Sequence, residues 1–339
     1  MSSNSALSLQ RPSSATASET LLKVENLSVE YRTPRGAVRA VNNVSFSIAP
    51  GEVFGLAGES GSGKSTIAHA VMRILHPPAV ITGGNVLFQG ADVLDMDTDE
   101  LERFRWRDVS MVFQSAMNAL NPVMSLGEQM TDVIQRHLKL SKLEALDRAA
   151  HLLQLVGIDS ARLNTYPHQL SGGMRQRAVI AIALALNPPL MIMDEPTTAL
   201  DVVVQKEILQ QIEELKEKMG FSILFITHDM SLMVEFSDRM GIMYAGEIVE
   251  TGIASDIFNT PQHPYTIGLM SSFPSLRGPK VKLTGIPGSP PDMAQPPSGC
   301  RFHPRCPQVM ERCSSMVPVL SETTPKHQVA CHLHGAGIS

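Results

Sequence analysis

Cysteine is missing from the first 299 residues; all four, Cys300, Cys306, Cys313 and Cys331, fall in the last forty. Most of the chain therefore holds itself together without disulfides. Long apolar runs are missing too. The longest, Ala178 to Leu186, has nine residues, against the ~20 that a spanning helix needs, so no membrane span is expected. The first twenty residues are rich in Ser and Thr with scattered Leu7 and Leu9, and lack the apolar centre of a secretory signal. Residues 1–20 read as a disordered tail and the protein as cytoplasmic. Nor is there an excess of basic residues: the net charge is −5, which argues against a nucleic-acid partner. No internal repeat is evident.

What is present is a composition suited to a packed core, 43% hydrophobic and 18% charged over 339 residues. That length accommodates one large domain with an extension, or two domains. Leu21 to Tyr31 and Val38 to Ile48 read as strands around a turn at Thr33-Pro34-Arg35-Gly36. Val53 to Ala57 and Val109 to Phe113 are short buried strands. Thr66 to Leu75 reads as a helix ended by Pro77-Pro78. From about 115 to 167 the pattern is mostly helical, with Leu126 to Leu138 and Leu143 to Val156 at helical spacing and Gly157 as a C-cap. A long Ala-rich helix follows from Gly172 to Leu186. Leu190 to Met193, Val202 to Lys218, Ser222 to Thr227 and Arg239 to Tyr244 continue the alternation of strand and helix expected of an α/β fold. After about residue 260 the composition changes. Thirteen of the 23 prolines lie there, which marks a loop-rich extension poor in regular elements.

Two glycine-rich signatures carry the chemistry. Gly58-Glu59-Ser60-Gly61-Ser62-Gly63-Lys64-Ser65-Thr66 sits between a strand and a helix, the context a phosphate loop requires. Its backbone amides curl around phosphate oxygens and the helix N-terminus faces the same anion. Lys64 is placed for the β- and γ-phosphates, the Ser65 hydroxyl for Mg²⁺, and Thr66 for a further phosphate contact. The apolar strand Leu190 to Met193 then delivers Asp194 and Glu195 to the carboxyl edge of a parallel sheet, where ligands bind. Asp194 suits Mg²⁺ and Glu195 suits a general base. Taken alone, two acids at a strand end are common solvated residues; a phosphate loop upstream makes the catalytic reading the sharper one.

With Leu170-Ser171-Gly172-Gly173-Met174, Gln114 after Met111-Val112-Phe113, Ala199-Leu200-Asp201 and Thr227-His228-Asp229, the chain resembles the ATP-binding cassette family across roughly 21–260. The resemblance implies a P-loop NTPase core with a mixed sheet, an antiparallel β subdomain and a helical signature subdomain at about 115–187. It also implies roles. Ser171, Gly172 and Gly173 would cap the γ-phosphate of ATP held by an opposite subunit, and Met174 stands where many members have Gln. His228 would touch the γ-phosphate and hold the attacking water, and Asp201 would act across the dimer seam. Gln114 would join Ser65 and Asp194 at Mg²⁺ and report nucleotide state. Tyr31 is placed like the aromatic residue that stacks on adenine, though it also fits a half-buried strand face.

The stretches Asn118-Ala119-Leu120-Asn121-Pro122-Val123, Leu170 to Arg177 and His263-Pro264-Tyr265-Thr266 with Leu269 resemble the oligopeptide and dipeptide importer branch, as does the cysteine tail, residues 261–339. Members of that branch can hold a [4Fe–4S] cluster on four cysteines, here spaced C-x5-C-x6-C-x17-C. The absence of a C-x2-C knuckle weakens a zinc reading without removing it. His303, His327, His332 and His334 lie near enough in sequence to replace a ligand, and four free thiols are the bland alternative.

The expectation is an ATP- and Mg²⁺-dependent ATPase subunit of an importer of peptides, or of a related solute such as nickel or an oligosaccharide. Its expected partners are a second ATPase subunit (a related chain or a second copy), two transmembrane permease subunits and an extracytoplasmic solute-binding protein. Its expected place is the cytoplasmic face of the membrane. A soluble cassette ATPase of repair or translation is the rival, and it usually carries two cassettes or a coiled-coil insertion, neither of which is seen. A guanine-nucleotide switch would need Asn-Lys-x-Asp, which is absent.

Overall fold

Five short, mostly apolar strands lie side by side at one end of an eight-stranded mixed sheet. The computed structural model describes residues 20–34, 36–114, 119–198, 200–272 and 285–334; the proposed tail before Thr20, and Arg35, Asn118 and Ala199, lie outside them. Strands β3 (Val53–Ala57), β6 (Val109–Val112), β7 (Leu190–Asp194), β8 (Ser222–Ile226) and β9 (Arg239–Tyr244) are parallel, in the order β9-β3-β8-β7-β6. Nearly every residue in them is buried, because helices or a second sheet cover both faces; that is why they lack alternation.

The helices are α1 (Lys64–Val71), α2 (Thr98–Arg107), α3 (Leu126–His137), α4 (Lys142–Leu155), α5 (Gly172–Ala183), α6 (Val202–Met219), α7 (Met230–Phe236), α8 (Ala254–Asn259) and α9 (Pro264–Ser271). Serines start α3 and α4 with capping boxes, Ser125 with Glu128 and Ser141 with Glu144. With α5, these two helices form the helical subdomain between β6 and β7. Helix α1 stops four residues short of the expected Leu75, because Arg73 takes a left-handed φ of 51° and donates its N–H to Ala70 O. Helix α5 ends at Ala183, ahead of a left-handed Asn187.

A separate four-stranded antiparallel sheet, ordered β2-β1-β4-β5, packs over α1. It comprises β1 (Leu22–Thr33), β2 (Gly36–Ile48), β4 (Ala79–Phe88) and β5 (Ala91–Asp92). Together with the outer faces of β3, β7 and β8 it closes one core; the helical subdomain, α6 and the opposite sheet face close the other.

The extension contributes to the main sheet. Strand β10 (Glu247–Ile253) pairs antiparallel with β9, then β12 (His327–Val329) with β10 and β11 (Ser321–Thr324) with β12. The join has a polar centre. Glu250 is fully buried and accepts the N–H groups of Gln262 (2.8 Å) and His263 (2.9 Å), while its Oε1 lies 2.7 Å from His327 Nε2. Replacing Glu250 by Ala strands those donors in a dry interior, so Glu250→Ala should lose about 3 kcal/mol or more of stability. Chemical denaturation read by tryptophan-independent circular dichroism checks this; a loss under about 1 kcal/mol would show that the join does not depend on the buried carboxylate.

Candidate functional site

Strand β3 ends at Ala57, and the next six residues turn the chain through the loop that starts α1. Gly58 (φ 147°) and Gly63 (φ 103°) lie in backbone regions that favour glycine, and a Cβ on either would collide with the carbonyl oxygen of Met243 or Ala40. Lys64 curls back into the loop. Its Nζ donates to Gly58 O (2.9 Å), Glu59 O (2.9 Å) and Ser62 Oγ (3.2 Å). Burial lowers its pKa, and the nearby Glu195, Asp194 and Glu59 partly offset that. The result is a desolvated cation framed by amide N–H groups at a helix N-terminus, an arrangement suited to a polyphosphate.

Strand β7 brings the two acids to the same edge. Asp194 is buried, and Ser65 Oγ donates to its Oδ1 at 3.1 Å. Burial raises its pKa, opposed by the Ser65 hydrogen bond. Glu195 leaves the strand with a left-handed φ of 48°, a conformation that costs energy for a residue with a Cβ. Its N–H donates to Ile226 O (2.8 Å). One carboxylate oxygen, Oε2, gathers three groups: Gln114 Nε2 at 3.2 Å, Thr198 Oγ1 at 2.9 Å and His228 Nδ1 at 3.4 Å. Gln114 follows β6 and His228 follows β8, so three adjacent strand ends meet on Glu195. Tyr31 reaches the same region from β1, with its hydroxyl 3.3 Å from Thr66 Oγ1.

The second signature stands apart. Ser171 is the exposed N-cap of α5, and its Oγ accepts the Met174 N–H at 3.3 Å. Among the described residues, no hydrogen bond links Ser171–Met174 to the phosphate loop. Asp201 caps α6 by accepting the Val204 N–H (3.0 Å), and a Cβ on Gly173 would meet Val204. The starts of α5 and α6 therefore abut, with Val202 and Val203 exposed beside them.

Three partners of these residues are not flagged as site residues by the sequence. Thr198 holds Glu195, as above. Tyr265 Oη accepts the Glu59 N–H (2.9 Å), and Arg305 clasps the Glu59 carboxylate through two donors (2.8 and 3.0 Å). The Tyr265 and Arg305 contacts come from the extension, more than two hundred residues away, and only the folded chain reveals them.

All four cysteines line one small cavity, together with His263, Phe302, His303 and His332. They converge without gripping: among the described residues, no three His, Cys, Asp or Glu side chains stand at metal-ligand spacing. Burial pushes the Cys300 thiol up to about 11, and raises Cys306 and Cys331 as well. Each of the four histidines flagged by sequence has a partner for one ring nitrogen. A ring nitrogen of His303 contacts Cys300 O, His327 pairs with Glu250, His332 contacts Met316 O and His334 contacts Gln262 O. The four thiols share this cavity with His263, whose Nε2 is buried without a hydrogen-bond partner among the described residues. A larger groove of about 870 Å³ lies elsewhere, between β1–β2 and the β11–β12 hairpin. Four of its charges are paired, Lys23 with Glu25 and Arg239 with Glu52, and no signature residue enters it.

Residues 41–198 match the family described as ABC transporter, and residues 249–313 match the family described as oligopeptide/dipeptide transporter, C-terminal region. The oligopeptide transport ATP-binding protein OppD of Bacillus subtilis (strain 168) is 44% identical over 91% of this chain and 87% of its own length. Its counterpart OppD in Escherichia coli (strain K12) is 45% identical over 92% of this chain and 93% of its own length. Among solved structures, the dimeric post-hydrolysis cassette MJ0796 bound to ADP and Pi superposes with a TM-score of 0.62 at 31% identity. That match covers 69% of this chain and 98% of the other. The chain belongs to the ABC transporter ATPases, in the branch that carries the oligopeptide/dipeptide transporter C-terminal region.

Proposed function

We propose that this ATPase powers uptake of di- or oligopeptides, or of a related small solute such as nickel or a short oligosaccharide. The match of residues 249–313 to the peptide-transporter C-terminal region carries the substrate class. No helix among the described residues is long and apolar enough to cross a membrane, so the transport path would come from two permease subunits. The chain would dock on them at the cytoplasmic face, and a solute-binding protein would deliver cargo from outside. Ser171 and Gly58–Thr66 are not joined within the chain, which supports a second cassette, related or identical, that completes each nucleotide site.

In that dimer the loop amides and Lys64 would hold the β- and γ-phosphates, Thr66 would add a contact, and Tyr31 would stack on adenine. Ser65, Asp194 and Gln114 fit Mg²⁺: a hydroxyl and a buried carboxylate 3.1 Å apart offer oxygen ligands, and a cation there would relieve the desolvated Asp194. Bound Mg²⁺ would neutralise charge on the transferring phosphoryl group. Glu195 would accept a proton from water as the water oxygen bonds to the γ-phosphorus and the bond to the β–γ bridging oxygen breaks, releasing ADP. Gln114, His228 and Thr198 would orient that carboxylate and the water. From the partner side, Ser171 and the amides of Gly172, Gly173 and Met174 would cap the γ-phosphate at the positive end of α5. Asp201 would stand at the seam.

For the thiol pocket the reading is a [4Fe–4S] cluster on Cys300, Cys306, Cys313 and Cys331, with zinc as the alternative. Four thiols on one cavity match the usual cluster ligand set. A bound cluster would cross-link a segment with little core of its own.

Three outcomes test these readings. Glu195→Gln should bind MgATP as tightly as the parent while turnover falls by about 10²-fold or more; steady-state phosphate release compared with nucleotide binding checks this, and near-normal turnover removes Glu195 from the base role. Purification in mild detergent should recover two membrane proteins with the chain, whereas recovery of ribosomes or DNA would favour a soluble cassette. Purified without oxygen, the protein should be brown and carry about four irons per chain; stoichiometric zinc without iron would overturn the cluster.

A further inference from the structure

The phosphate loop is fastened to the thiol pocket by an ion pair whose arginine is buried and whose glutamate is partly exposed. Glu59, second residue of the loop, uses every polar group it has. Its carbonyl takes Lys64 Nζ (2.9 Å), its N–H goes to Tyr265 Oη (2.9 Å), and its carboxylate takes Arg305 in fork geometry (2.8 and 3.0 Å). Arg305 is only 6% exposed in its side chain and is pinned further by Pro287 O (2.8 Å) and Tyr244 Oη (3.3 Å). It ends the turn His303–Arg305, so its chain neighbour Cys306 and, through that turn, Phe302 are walls of the thiol cavity. Phe302 in turn packs edge-on against Tyr244 (5.1 Å) and Tyr265 (5.5 Å). Little in this path can give: Gly58 beside Glu59 has no room even for a Cβ.

We propose that Arg305 is a positioning residue of the nucleotide site, and that MgATP binding and the conformation of the thiol pocket are coupled through the Arg305–Glu59 pair. The pair fixes where the Glu59 carbonyl sits, and that carbonyl fixes Lys64 before nucleotide arrives. Linkage is reciprocal: whatever tightens the pocket strengthens nucleotide binding, and nucleotide shields the thiols. The inference rests on the nucleotide-binding reading of Gly58–Thr66 and not on what occupies the pocket.

The test uses the full chain, prepared identically for each variant. Its two readouts are MgATP affinity by calorimetry and the rate of labelling by a thiol-alkylating maleimide. Cysteine occurs only in the extension, so all labelling reports on it. Arg305→Gln and Glu59→Gln should each weaken MgATP binding about fivefold or more, the double variant no further than either single one. Arg305→Lys, which keeps the charge but loses the fork, should fall between. In the parent, saturating MgATP should slow labelling by about twofold or more; in Glu59→Gln it should not. A merely structural arginine would lower the melting temperature without removing the effect of MgATP on labelling. If Arg305→Gln fails to fold, Glu59→Gln, which keeps every backbone contact, carries the test. Affinities within about twofold of the parent, additive losses in the double variant, or labelling indifferent to MgATP in the parent each overturn the proposal. A parent that binds no MgATP would instead sink the nucleotide reading itself.

Discussion

Lys64 is a cation kept out of water by the loop it serves. Its three ammonium hydrogens are met by Gly58 O, Glu59 O and Ser62 Oγ, so the loop is closed on its own lysine. Closing it constrains much else. The two glycines must take positions that no side chain tolerates, Met243 and Ala40 must supply backbone against them, and β9 must therefore lie next to β3. Asp194 and Glu195 have to arrive from β7 with enough negative charge to favour a buried ammonium. The parallel order β9-β3-β8-β7 brings these parts to one edge.

The parts of this design that depend on local pattern are readable in the chain. The runs Val53–Ala57, Leu190–Asp194 and Ser222–Ile226 are too apolar to be anything but buried, and Ser125 and Ser141 announce helices through the Glu three residues on. Signature loops announce Gln114 and His228, two of the three residues that meet at Glu195. Partners across long separations are not readable. Strand β4 carries Gly83-Gly84 in its middle, which looks like a loop until β1 bulges at Glu25 to Ser28 and needs a residue without a Cβ at Gly84. Strands β11 and β12 are short, and their four- and three-residue patterns acquire meaning only against β10. Helix α2 does have a readable start, the Asp97–Glu100 capping box; its polar faces hide it from an apolar-periodicity reading.

Composition separates the extension from the cassette, while packing unites them. Proline and cysteine change abruptly near residue 260, yet Tyr265 and Phe302 belong to the same apolar cluster as β3 and the helical subdomain. Arg301 adds a second buried tie, to Ala245 O and the Glu247 carboxylate (3.0 Å). Sequence composition records how a segment is built; which surface it completes is recorded only in long-range contacts such as Glu250 with His327.

The position of β12 has a consequence for the order of events at the ribosome. Its partner β10 ends at Ile253, while β12 begins at His327. Between their syntheses the sheet has a free edge whose N–H and C=O groups await a strand not yet made, and a free edge is a template for pairing with another chain. At about 5–20 residues per second that interval lasts several seconds. A nascent cassette is then exposed to a neighbour's strand, and the arrival of β12 and β11 moves the exposed edge from the seven-residue β10 to the four-residue β11.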